Sequence, residues 1–294
     1  MRREIFFTKL FWGVLLSLFL TAACSKEGGD PNTDDPNIDD PNTQEPPVTP
    51  PPAGSFTDSR DQNIYKTVKI GEQLWMAENL RYLPQVFATD QYGLSASEPR
   101  YYVSGYYRGS SVEEAKEKES YNKYGVIYNW PAAMGGAEQS NSNPSGVQGA
   151  CPQGWHLPSL SEWEELLRYL NDNGYNYDGS IGGELGKKLA KALAAPYERW
   201  ANFSTGGRNL KEGGPAKDSY PQYQNRSGFN IIPAYYVHAS TGQANRESSF
   251  YLTTATTNAS GHPYYLGLSY LDSDVEFVSS TKKEGGYSVR CVKD

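Results

Sequence analysis

Three cysteines and three histidines are the residues of this 294-residue chain best suited to nucleophilic, redox or metal chemistry. His156, His238 and His262 stand apart, without the His-x-His or Glu-x-x-His spacing that puts two ligands on one face of a strand or helix. His156 sits in a tight Gly-Trp-His-Leu-Pro turn and reads as a packing or hydrogen-bonded residue, and His262 precedes Pro263 in an apparent turn. Glu162, Glu164 and Glu165 could supply a carboxylate pair for acid–base work. Their place at a helix start explains them already, because negative charge there favours the helix dipole and caps free N–H groups. Asp172 and Asn173 with Asp178, and Asp272 with Asp274, are oxygen clusters that calcium could use, although short Asx turns need the same residues without metal. No cofactor is implied, and metal occupancy stays open.

Aromatic recognition is the other available chemistry. The chain has 23 tyrosines, eight of them between Tyr92 and Tyr128. Adjacent strand residues face opposite ways, so a doublet in a strand sends one ring outward, where it offers rigid amphipathic contact area. Tyr101, Tyr102, Tyr106 and Tyr107 are therefore the candidate ligand-binding residues. The competing explanation is that Tyr replaces Phe and Leu in a polar-leaning core. Nucleic acid is not an expected partner, since 27 Lys and Arg against 34 Asp and Glu leave a net charge of −7 and no basic footprint.

The elements that must position these residues begin after two segments of different material. Residues 1–24 carry Arg2, Arg3 and Lys9, then an uncharged apolar run too short to span a bilayer comfortably, ending Leu20, Thr21, Ala22, Ala23, Cys24. That ending looks like a lipobox, which makes residues 1–24 a lipoprotein signal peptide and Cys24 the acylated anchor. Residues 25–55 hold eight prolines, no aromatic residue and a repeat starting at Asp30, Asp35 and Asp40. This is an acidic, disordered tether, able to extend roughly 95 Å at polyproline spacing. Residues 56–294 form the folded domain. A hairpin is expected over 64–76, a strand over 124–130, a helix over 159–170 with Ser159 and Glu162 as a capping box, and a second helix over 184–195. Strands are expected over 229–237, 249–256, 263–271, 275–278 and 287–292. Early helices and late strands indicate α+β with an antiparallel sheet.

Five stretches, YKTVKIG (65–71), QLWMAENL (73–80), CPQGWHLP (151–158) with Glu162 and Trp163, SGFN (227–230) leading to Pro233, and GYSVRC (286–291), resemble in that order the Fibrobacter succinogenes major paralogous (FISUMP) domain. The resemblance covers nearly all of 56–294. It implies a secreted or lipid-anchored bacterial surface protein with a C-type-lectin-like fold, two main helices with an irregular antiparallel sheet, in a family for which no general biochemical activity is established. The run from Gly154 to Trp163 is also similar to the formylglycine-generating, sulfatase-modifying relatives of that fold, which use a reactive cysteine pair. With Cys24 as anchor, the exported and oxidising setting and the family pattern agree instead on a Cys151–Cys291 disulfide, the alternative being two buried free thiols. The calcium-dependent sugar signatures of lectins are absent, Glu98, Pro99 and Arg100 only grazing the first. The expected protein is thus a non-catalytic lipoprotein of the outer membrane, exposed at the surface, that binds an extracellular glycan or protein in an adhesion-type role. An enzyme of the formylglycine-generating type and a structural envelope component are the alternatives.

Overall fold

Alternating apolar and polar residues on either side of Gly71, which takes a φ of +60°, turn the chain into the expected hairpin. The computed structural model describes residues 54–90, 93–201, 209–242, 244–245 and 249–294. Cys24, most of the tether and Tyr92 lie outside them. Chain order runs β1 (Ser55–Thr57), β2 (Ile64–Ile70), β3 (Gln73–Met76), β4 (Tyr101–Tyr102), α1 (Val112–Lys116), α2 (Glu119–Tyr124), β5 (Ile127–Asn129), α3 (Trp130–Met134), β6 (Trp155–His156), α4 (Leu160–Asp172) and α5 (Ala190–Leu193). The second half adds β7 (Tyr236–Val237), β8 (Ala244–Asn245), β9 (Ser249–Thr257), β10 (Pro263–Ser269), β11 (Val275–Ser279), β12 (Gly286–Tyr287) and β13 (Val292–Lys293).

The strands make three antiparallel sheets, ordered β1-β2-β3-β13-β6, β11-β10-β9 and β4-β5-β12-β7-β8. One short segment joins all of them. β12 pairs with β5 and β7, β13 pairs with β3 and β6, and between them Ser288 accepts a backbone hydrogen bond from Thr253 in β9. Val289 and Cys291 likewise accept from Leu80 and Met76. The expected single strand over 287–292 is therefore split, because its middle crosses from one sheet to another.

The helix expected over 159–170 is α4. Ser159 accepts from the Glu162 backbone N–H while the Glu162 carboxylate accepts from that of Ser159, closing the capping box. Trp163, Leu166, Leu167 and Leu170 bury one face. The helix expected over 184–195 shrinks to α5. Gly186 takes a φ of +82° and its carbonyl accepts from Val275, while Ala190 N–H donates to Ser273, so the first half of this stretch makes a turn tied to the β11 region and only its second half is helical. The strand expected over 229–237 survives as β7 and as a single parallel bridge from Ile231 to Ala194. Asn230 is left-handed at φ 61°, and its carbonyl together with that of Phe229 serves a side chain described below.

Two large buried clusters form the core. One gathers Tyr65, Leu80, Tyr128 and Trp155 around Cys151 and Cys291, and the other packs Trp75, Trp163 and Phe229 with the α4 leucines. The Trp75 and Trp163 rings lie 4.4 Å apart, with Phe229 edge-on to both. Cys151 and Cys291, 140 positions apart and both fully buried, form a disulfide with Cα atoms 5.9 Å apart. Closing so long a loop stabilises the fold by up to about 5 kcal/mol in the chain-entropy view. Mass spectrometry after alkylation of the unfolded, unreduced chain should find no label on Cys151 or Cys291, and reduction should lower the unfolding midpoint. Two labelled cysteines would refute the bridge.

Candidate functional site

The residue between Val289 and Cys291 is an arginine with 1% of its surface exposed. Arg290 Nε donates to Asn79 Oδ1 at 3.0 Å, Nη2 to the Asn230 carbonyl at 2.9 Å and Nη1 to the Phe229 carbonyl, while the guanidinium lies 4.7 Å from the Phe229 ring centroid. Asn79 is fixed in turn by donating to the Tyr124 carbonyl and to Ser288 Oγ. All these partners are neutral. Among the described residues no carboxylate lies within ion-pair distance of Arg290. Burial draws its guanidinium down from 12.5 to about 9, against a weak lift from Glu78, which leaves it charged near neutrality.

Arg290 forms part of the wall of an open cleft of about 220 Å³. Lys66 of β2, Arg81, Lys123 of α2 and Arg199 also line it, against the single carboxylate of Glu78. Glu78 accepts from the Lys66 backbone N–H. Arg81 is held over the Tyr65 ring and donates to the Ile64 carbonyl, and Lys123 pairs with Glu119 at the surface. The side chains of Lys66, Arg199 and Asn122 have no hydrogen-bond or ion-pair partner among the described residues. A chain of net charge −7 thus carries a cleft of opposite sign, with donors left over.

A second polar knot lies at the other end of the crossing segment. His156 Nε2 is 2.6 Å from Glu162 Oε1 and Nδ1 is 2.7 Å from Asp294 Oδ1. Both neighbours are carboxylates, so both ring nitrogens must donate and the imidazole is held as the cation. Burial opposes that charge, but the bonds to Glu162 and Asp294 prevail and raise the histidine above 6.5. Glu162 also accepts from the backbone of Ser145 and Ser159. Its carboxylate is engaged on every side, as a structural tie.

The tyrosines expected to form a binding face do not share one. Tyr102 and Tyr106 are buried, Tyr101 is half-buried edge-on to Tyr128, and only Tyr107 is well exposed, at 60%. Tyr102 donates to the Gly93 carbonyl, Tyr121 to that of Arg81 and Tyr128 to that of Tyr82. The second explanation holds for these rings: Tyr serves as a core residue whose hydroxyl satisfies loop carbonyls. Burial accordingly pushes Tyr102 and Tyr128 up. Of the acidic clusters, Asp178 is paired with Lys188, Asp272 with Lys211 and Asp274 with Lys187, so lysines occupy the place of a cation. Burial tends to raise Asp178, but bonds from Lys188 and Ser180 bring it to about 2. His238 and His262 belong to turns. Sequence reasoning passed over Arg290 and the partners of His156. The available signals were Asn79, Phe229 and Arg290, each inside a stretch already singled out, and Glu162 placed six residues after His156.

Fold and site together define an α+β domain, with antiparallel sheets and few helices, organised around a buried arginine that forms part of a cationic cleft. The chain belongs to the Fibrobacter succinogenes major domain family, whose model matches residues 68–293. It has no significant match among curated proteins or among solved structures.

The His156 knot makes a pH prediction. A histidine raised in the folded state contributes stability that is fully present below 6.5 and is lost as pH climbs through the raised value. The gap in unfolding free energy between the native chain and His156→Gln should be widest near about pH 5.5 and should narrow toward about pH 9. A gap constant across that range would contradict the assigned cation.

Proposed function

We propose that this protein is a bacterial lipoprotein, held on the outer membrane by acylated Cys24 and exposed at the surface, whose domain binds an extracellular glycan or protein without transforming it. The observation that carries the reading is the cleft beside Arg290, an open concavity whose cations and amides have hydrogen-bonding capacity the chain leaves unused. The tether supports it, since a polyproline-like spacer of residues 25–55 would carry such a cleft clear of the lipid. The cysteines support a binding role over formylglycine-type catalysis, being buried and committed to one another. A C-type-lectin-like arrangement is compatible with irregular antiparallel sheets, one long helix and a disulfide reaching from before that helix to the last strands.

The full chain in detergent micelles, applied to immobilised polysaccharides and matrix proteins, should be retained by at least one of them and release no soluble fragment. Asn122→Ala and Lys66→Ala, both at exposed positions, should each weaken that retention roughly tenfold while leaving thermal unfolding unchanged. Fragment release, or full retention of both variants, would contradict the proposal.

A further inference from the structure

Resting on that reading, we infer that the cleft takes an acidic glycan, with a carboxylate or sulfate group of the sugar set against the charge of Arg290. A guanidinium taken out of water costs several kcal/mol, and neutral acceptors repay only part of it. Among the described residues no carboxylate lies within ion-pair distance of Arg290 and only Glu78 of the same cleft acts on it from further off, which leaves room for an anionic group from outside to complete the counter-charge. Its field reaches into the cleft through a poorly polarisable wall, where it is screened far less than a surface charge. Lys66 and Arg199 reinforce the same sign, and Glu78 is turned to the Lys66 backbone.

The rest of the lining selects a sugar over an acidic peptide. Asn122 and Asn230 contribute amide side chains without a partner among the described residues, each offering a donor and an acceptor side by side, the pattern that adjacent ring hydroxyls match. Tyr124 adds a half-buried aromatic ring to the wall, held edge-on to Tyr235 and beside the Lys123 ammonium, so that it contributes apolar surface for a sugar's edge. A concavity of about 220 Å³ suits one charged sugar ring with its neighbours extending into solvent. Polymers of uronic acids and sulfated polysaccharides both carry that chemistry.

The test titrates the full chain in detergent with oligogalacturonate, with dextran sulfate oligosaccharide and with neutral dextran oligosaccharide, at low and high salt. At least one acidic ligand should bind at least about tenfold more tightly than dextran and weaken steeply with salt. Lys66→Glu and Arg199→Glu, both exposed, should each reduce that affinity about tenfold with thermal unfolding unchanged. Which of the two acidic ligands responds tells carboxylate from sulfate. Dextran bound as tightly as either, without salt dependence, would overturn the acidic ligand and leave glycan binding standing. Undiminished affinity in both reversal variants would overturn the site, and polyglutamate bound like the acidic sugars would overturn the choice of glycan. Cleft-dependent retention on a matrix protein with no sugar bound would sink this inference alone, whereas retention on nothing would sink the proposed function with it.

Discussion

A full positive charge buried at Arg290 constrains everything built around it. Sealed from water, its fork of N–H donors must find acceptors, and it finds them in the Asn79 side chain and in the carbonyls of Phe229 and Asn230. Residues separated by up to 211 positions are thereby held to one side chain. That explains why Phe229 and Asn230 join no ladder, their carbonyls being already used, whereas Ile231 bridges to Ala194 and the next strand is β7. It also explains where the cleft lies, since Asn79, Asn230 and Arg290 all line it.

The same C-terminal segment is secured on either side of the arginine. Cys291 is tied to Cys151, Val292 inserts β13 between β3 and β6, and His156 of β6 is clamped by Glu162 and Asp294. The two knots differ in electrostatic character. At His156 the cation has carboxylates on both nitrogens and is satisfied within the chain, whereas at Arg290 the hydrogen bonds are satisfied and the charge is not. Walls drawn from β2, α2 and the segment after Phe229 are thus held in place by the fold itself, the preorganisation that the proposed binding would draw on.

Much of this was legible in the sequence wherever one local rule dominated. The hairpin at Gly71, the capping box at Ser159 with its stripe from Trp163 to Leu170, and the apolar runs of β9, β10 and β11 follow from period and turn chemistry. The disulfide followed from compartment and from the family resemblance. Failure came where a distant backbone competed with local preference: residues 184–189 have helical composition, but Gly186 and Ala190 bond to the β11 region. The burial of two of the four candidate tyrosines has a related reason. Whether Tyr102 or Tyr106 faces outward depends on which loop carbonyl or amide awaits its hydroxyl, and no short stretch of sequence records that. Arg290 escaped notice because a lone arginine in a strand-like run reads as exposed, when its acceptors lie 60 and 211 positions away.

The most direct test of the account is the equilibrium unfolding of Arg290→Met in denaturant with the disulfide intact. Methionine keeps much of the volume but abandons acceptors at Asn79, Phe229 and Asn230, each costing about 1–3 kcal/mol when left buried and unpaired. The account predicts a loss of more than about 3 kcal/mol of stability. An Arg290→Met chain as stable as the native one would contradict it, for the arginine would then be a passenger in the fold and not its organising contact.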